Sequence, residues 1–155
     1  MLTIRLPEVP MVKFRADLPA WMGAGLFIEI DSRPSGRVNQ AFMTAREAVN
    51  LARRVRAAGV DAATDPGEKV RAQDDAGREF GKDWCGCVYD TCIIEWRTNL
   101  VDAETGRVLT CDRATFIELF DVKIAEISEA FIKFLKEIEK AGDDVAADTE
   151  ATIKN

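Results

Sequence analysis

The sequence predicts an α+β fold, predominantly α-helical, in which a short N-terminal β-hairpin packs on several helices and a long amphipathic helix closes the chain. Three observations predict it. Two short runs with alternating apolar residues lie between residues 9 and 31. From residue 44 onward, apolar residues recur mostly at three- and four-residue steps, the period of a helix with one buried face. The segment from Glu95 to Gly142 carries the strongest pattern, a turn succeeded by a long apolar stripe.

A chain of 155 residues fits one domain and is long enough to bury a core. The expected organisation is a single domain over residues 1–142, with the hairpin at about 9–31 and the helical part at about 44–142. Residues 1–9 form a lead-in, punctuated by Pro7 and closed by Pro10. The first strand runs from Val9 to Ala16, where Val12 and Phe14 alternate with Lys13 and Arg15. Asp17 to Ala20 breaks it. Gly23-Ala24-Gly25 reads as a turn; it lacks the remaining spacing of a phosphate-binding glycine loop. Leu26 to Asp31 is the second strand. A two-stranded hairpin is marginal alone and has to pack on helices.

Thr44 and Glu47 have the spacing of a capping box, and Ala45, Ala48, Val49, Ala52 and Val55 continue as a helical stripe to a C-cap at Gly59. Arg53, Arg54 and Arg56 suit the negative pole of that helix. Asp65-Pro66-Gly67 is a turn. Residues 68–82 are highly charged and predict a mobile connection that enters a helix near Arg78. Trp84, Val88, Cys92 and Trp96 then fall at four-residue steps, which predicts a helix over 83–96, although Ile93, Ile94 and Trp96 also favour strand. Asp102 to Gly106 is a reversal, with Gly106 supplying a positive φ. Thr110 or Asp112 caps the last helix, expected to run roughly 28 residues, about 42 Å, to a C-cap at Gly142. Beyond it, residues 143–155 lose periodicity and predict a disordered acidic tail.

The last helix carries Phe116, Phe120, Ile124, Ile127, Phe131, Phe134 and Ile138 as one stripe. The stripe reads two ways: as a face for a partner, with Trp96 beside it, or as a central core helix broken near Asp121.

Composition excludes several functions. The net charge of −6 disfavours nucleic-acid binding. The charge is uneven: residues 1–60 carry nine Lys/Arg and five Asp/Glu (+4), residues 61–155 twelve and twenty-two (−10), which reads either as favouring head-to-tail contact between copies or as a solvated helix face. With no histidine, Ser–His and Cys–His nucleophile arrangements are impossible within this chain. No run approaches the roughly 20 apolar residues that span a bilayer, and the N-terminus has no signal-peptide core, so the expected location is the cytoplasm. Cys85, Cys87, Cys92 and Cys111 have the spacing C-x-C-x4-C-x18-C, which matches no zinc knuckle. They are weak metal candidates, read first as small buried hydrophobes. Asp83 with Asp90, and Asp102 with Glu104 and Asp112, are conceivable acid–base or Mg²⁺ sets, but nothing in the sequence fixes them in a cleft. No catalytic residue and no cofactor is expected.

The run Glu95-Trp96, then Val101-Asp102-Ala103-Glu104-Thr105-Gly106-Arg107-Val108-Leu109-Thr110, then Phe116-Ile117-Glu118-Leu119-Phe120 resembles the tail assembly chaperones of long-tailed bacteriophages and related prophages. The resemblance covers residues 40–140. It implies a non-catalytic protein of the host bacterial cytoplasm that self-associates and coats the helical tape-measure protein before tail-tube subunits polymerise around it. The alternatives are a structural component of the tail or virion, and a small cysteine-based metal module.

Overall fold

The computed structural model describes residues 9–154. It is an α+β fold, 62% helical, with a three-stranded antiparallel sheet and four α-helices. Strands β1 (Val12–Asp17) and β2 (Phe27–Ser32) form the expected hairpin, in register from Val12↔Ser32 to Asp17↔Phe27. A short 3-10 turn, Ala20–Met22, crosses between them. The sheet has a third member that the sequence pattern conceals: β3 (Ile93–Thr98) pairs with β2, giving the order β1-β2-β3. Ile94 is an extra residue in β3, because Asp31 faces Glu95 while Ser32 faces Ile93. Such a bulge bends an edge strand and blunts its pairing capacity.

Between β2 and β3 the chain makes a long helical hairpin of α1 (Gln40–Ala62) and α2 (Pro66–Thr91). Both differ from the sequence reading. Helix α1 is capped by Asn39, whose Oδ1 accepts from the Phe42 N–H at 3.0 Å, not by Thr44. Helix α2 is capped by Asp65, which accepts from the Glu68 N–H at 2.9 Å, and Pro66 opens it where no N–H is needed. The charged stretch 68–82 is therefore helix, not connection. Its inward face is Ala72, Ala76 and Phe80, too small a stripe to stand out from the surrounding charge. Conversely, the helix expected through Trp96 ends at Thr91. The Thr91 hydroxyl donates to the Cys87 carbonyl at 2.6 Å in the last turn, and Cys92 closes it.

Asn39 ties the base of this hairpin together. Its Nδ2 donates to the carbonyls of Pro34 and Thr91, each at 3.0 Å, while its Oδ1 caps α1.

The single C-terminal helix is two. Helix α3 (Arg113–Asp121) starts at Asp112, which accepts from the Thr115 N–H at 2.8 Å. Val122 is extended, with φ −67° and ψ 141°, and α4 (Ala125–Lys154) comes after the corner. The corner folds Phe120 back onto Phe131, ring centroids 4.3 Å apart. Helix α4 does not stop at Gly142. It continues through the stretch expected to be disordered, supported by a Lys140–Asp144 pair one turn apart at 2.7 Å. Gly142 is buried because α4 crosses the Arg33–Asn39 loop there: a Cβ on it would lie 2.0 Å from the Ser35 carbonyl oxygen. The Ser35 N–H donates to the Ile138 carbonyl at 3.1 Å beside that crossing. The N-terminal lead-in, residues 1–8, lies outside the described residues.

The core sits between the inner sheet face and α2, α3 and α4. Phe14, Ile28, Ile30, Val88, Cys92, Trp96, Phe116, Phe134 and Ile138 are all buried in it. Phe14 meets Phe134 at 5.5 Å, which docks α4 on β1.

Candidate partner-binding surfaces

The fold turns most of the predicted partner face inward. Trp96, Phe116, Ile127, Phe134 and Ile138 are buried. Phe116 is the centre of an aromatic cluster, with Phe120 at 4.8 Å, Tyr89 at 5.3 Å and Trp96 at 5.5 Å. Phe120 and Phe131 are half-buried, and Ile124 alone is exposed, at the α3–α4 corner. The stripe is core because a three-stranded sheet exposes one apolar face that only these rings are large enough to cover. Trp96 serves by packing alone: its indole N–H is buried with no partner among the described residues.

The conceivable acid–base sets are tied up in structure. Asp83 pairs with Arg56 at 2.7 Å. Asp90 accepts two bonds from Arg113, at 2.7 and 2.9 Å, clamping α3 to α2. Asp102 accepts from the Glu104 N–H at 2.8 Å within the turn. The Asp112 carboxyl is held below its usual range by the Thr115 N–H it caps. The cysteines do not converge. Cys85, Cys87 and Cys92 are buried, and Cys111 is exposed on the segment before α3. Burial pushes the Cys85 and Cys92 thiols up to about 11, so both stay protonated at neutral pH. Among the described residues no group of three or more His, Cys, Asp or Glu is placed to hold a metal.

Among the described residues, three surfaces bear on partner binding. The first is a groove between the helical hairpin and α4. A cavity of about 400 Å³ lies among Phe42, Met43 and Arg46 of α1, Trp84 of α2, and Leu135, Ile138, Glu139 and Asp143 of α4. Trp84 separates it from a second cavity of about 170 Å³ lined by Phe80, Cys85, Ile117, Phe120 and Phe131. Phe42 and Phe80 flank the Trp84 ring at 5.9 and 6.3 Å. Charges of both signs border the apolar side chains: Arg37, Arg46, Glu139 and Asp143 at the first cavity, Lys82 and Asp121 at the second. Sequence reasoning places Trp84 in a stripe but not in a groove wall. Its four-residue spacing from Phe80 is the available signal.

The second surface is the outer face of the sheet. Glu29, at its middle, takes Arg15 from β1 and Arg97 from β3, the latter at 3.1 Å, and Arg97 also reaches Glu95 at 3.0 Å. Arg97 and then Arg15 hold the Glu29 carboxyl below its usual range. Arg15 also pairs with Asp17 at 3.0 Å and Arg97 with Asp31 at 3.4 Å, so two guanidiniums face four carboxylates and the ladder is left acidic. The third is the solvent face of α1, where Leu51 and Val55 are 59% and 66% exposed.

No helix among the described residues is long and apolar enough to cross a membrane. No protein-family model, curated protein or solved structure matches the chain.

Proposed function

We propose that this chain is a non-catalytic tail assembly chaperone that holds an apolar helical segment of a tape-measure protein during phage tail morphogenesis. The observation that carries the reading is the groove around Trp84. Two adjacent cavities lined by apolar side chains and by charges of both signs accept one face of an amphipathic helix, and their charges meet both signs on that helix. Aromatic and Met side chains lining it tolerate differing sequences, as a chaperone for a long helical client requires. The resemblance over Glu95–Phe120 supplies the client, and with it the host cytoplasm as the place and self-association as a second property. Asp83, Asp90, Asp102 and Asp112 have structural partners, and Cys85, Cys87 and Cys92 are buried, in keeping with a binding role.

Co-expression with a tape-measure protein tests the reading. The client is expected to stay soluble with the wild-type chain and to precipitate with Met43→Gln/Leu135→Gln, whose own thermal melt should stay within a few degrees of wild type. A client equally insoluble with and without the wild-type chain overturns the chaperone reading. Stoichiometric presence in purified particles favours a structural tail component instead.

A further inference from the structure

Helix α1 carries two apolar seams. The inner one, through Phe42, Ala45, Val49 and Ala52, packs on α2. The outer one runs Ala41, Thr44, Ala48, Leu51, Val55 and Ala58, at alternating steps of three and four, and every member is exposed. Single exposed apolar residues need no explanation. A 3-4 repeat sustained along one exposed face is the pattern of a helix that packs on another helix.

We propose that two copies of this chain pair antiparallel through this face of α1, related by a two-fold axis, with Leu51 seated on the partner's Ala48. Charge fixes the occupant and the direction. Glu47 and Arg54 lie on the same edge of the seam, seven residues apart, and neither has an ion-pair partner among the described residues. Setting Leu51 on the partner's Ala48 also sets Val55 on the partner's Thr44 and Ala58 on the partner's Ala41. Large residues thereby meet small ones along the seam. The same register places Glu47 opposite the partner's Arg54, and by symmetry Arg54 opposite the partner's Glu47. A parallel pair would stack Leu51 on itself and turn both charges toward the uncharged edge of the other helix. That edge is Ala45 and Ala52, which carry no charge to meet them. A self-complementary patch of this kind closes as a dimer. The interface deepens the self-association part of the function proposed above, yet it needs no tape-measure protein to form or to be measured.

Sedimentation equilibrium of the full chain reads the outcome. The wild type is expected at twice its 17.2 kDa chain mass. Leu51→Lys/Val55→Lys should give a monomer with an unchanged melting temperature, because both side chains face solvent. Glu47→Arg and Arg54→Glu should each weaken the dimer about tenfold, since each creates two like-charge contacts. An equimolar mixture of those two single variants should recover wild-type affinity, because a mixed pair restores both cross-helix contacts. A wild-type monomer overturns the proposal. So does an assembly of any size that the α1 substitutions leave unchanged, or a mixture no tighter than either variant alone.

Discussion

Replacing Gly142 with alanine separates two meanings of a glycine. Inside a helix, Gly→Ala normally stabilises by about 1 kcal/mol, because alanine has less backbone freedom to lose. At Gly142 the added Cβ would lie 2.0 Å from the Ser35 carbonyl oxygen and 3.2 Å from its carbon. An ordinary carbon–oxygen contact is about 3.3 Å or more, so α4 and the loop must separate by over about 1 Å. Overpacking a close helix crossing costs about 1–3 kcal/mol. The separation also stretches the bond from the Ser35 N–H to the Ile138 carbonyl, worth about 1 kcal/mol. Roughly 3 kcal/mol lost against about 1 kcal/mol gained leaves Gly142→Ala about 2 kcal/mol less stable. For a chain of this size that is a fall in Tm of about 4–8 °C. Gly77→Ala in α2 is the control, because nothing lies within 4 Å of the Cβ it would add. Its Tm should rise by about 2–4 °C. Scanning calorimetry of the two variants beside wild type decides the matter. A Gly142→Ala protein that melts at or above wild type, while Gly77→Ala melts higher, refutes the close crossing of α4 over Ser35.

Two more outcomes rest on particular contacts. Asn39→Asp keeps the α1 cap but turns two donated bonds into repulsion against the Pro34 and Thr91 carbonyls, so it should cost about 3 kcal/mol by urea titration at pH 7. Asn39→Ser, which also caps, should cost less. In native protein at pH 8, a thiol reagent should modify Cys111 quickly and Cys85, Cys87 and Cys92 slowly, since burial raises the pKa of those three. All four should react at equal rates in denaturant.

The hairpin of β1 and β2 is legible in the sequence because each strand alternates over its whole length between two glycine- or proline-marked breaks. The capped start of the helix after Asp112 and the reversal ending at Gly106 (φ 66°) are legible for a similar local reason. Three features are not. The four-residue spacing of Trp84, Val88, Cys92 and Trp96 runs across the junction of α2 and β3, so one helical pattern describes side chains that lie on two elements. Both elements feed one core, which is why apolar residues fall at those positions at all. The first half of α2 hides because its inward residues are alanines facing the alanines of α1. Gly142 reads as a helix end, because a glycine chosen for close approach and one chosen for a positive φ look the same in a sequence. The groove is illegible for a different reason. Its walls come from α1, α2 and α4, and only the tertiary fold sets how far apart they stand. The large aromatic stripe is plain in the sequence, but its burial depends on a sheet whose third strand carries a helical spacing.

Asp31 and Arg97 are neighbours across the sheet and 66 residues apart in the chain. Closing a flexible loop of that length before strand pairing would be slow, and the β2–β3 ladder would have to wait for it. The α1–α2 hairpin, once formed, shortens that loop. Its two helices pack along each other from the Pro66 tip to the base, and their outer ends lie side by side at Asn39 and Thr91. A hairpin formed before the sheet would act as a splint for the β2–β3 ladder. Loosening its distal tip, where no sheet residue is touched, should slow refolding more than it speeds unfolding. Matched seven-residue deletions from both arms, which keep the helical phase, should leave the sheet intact.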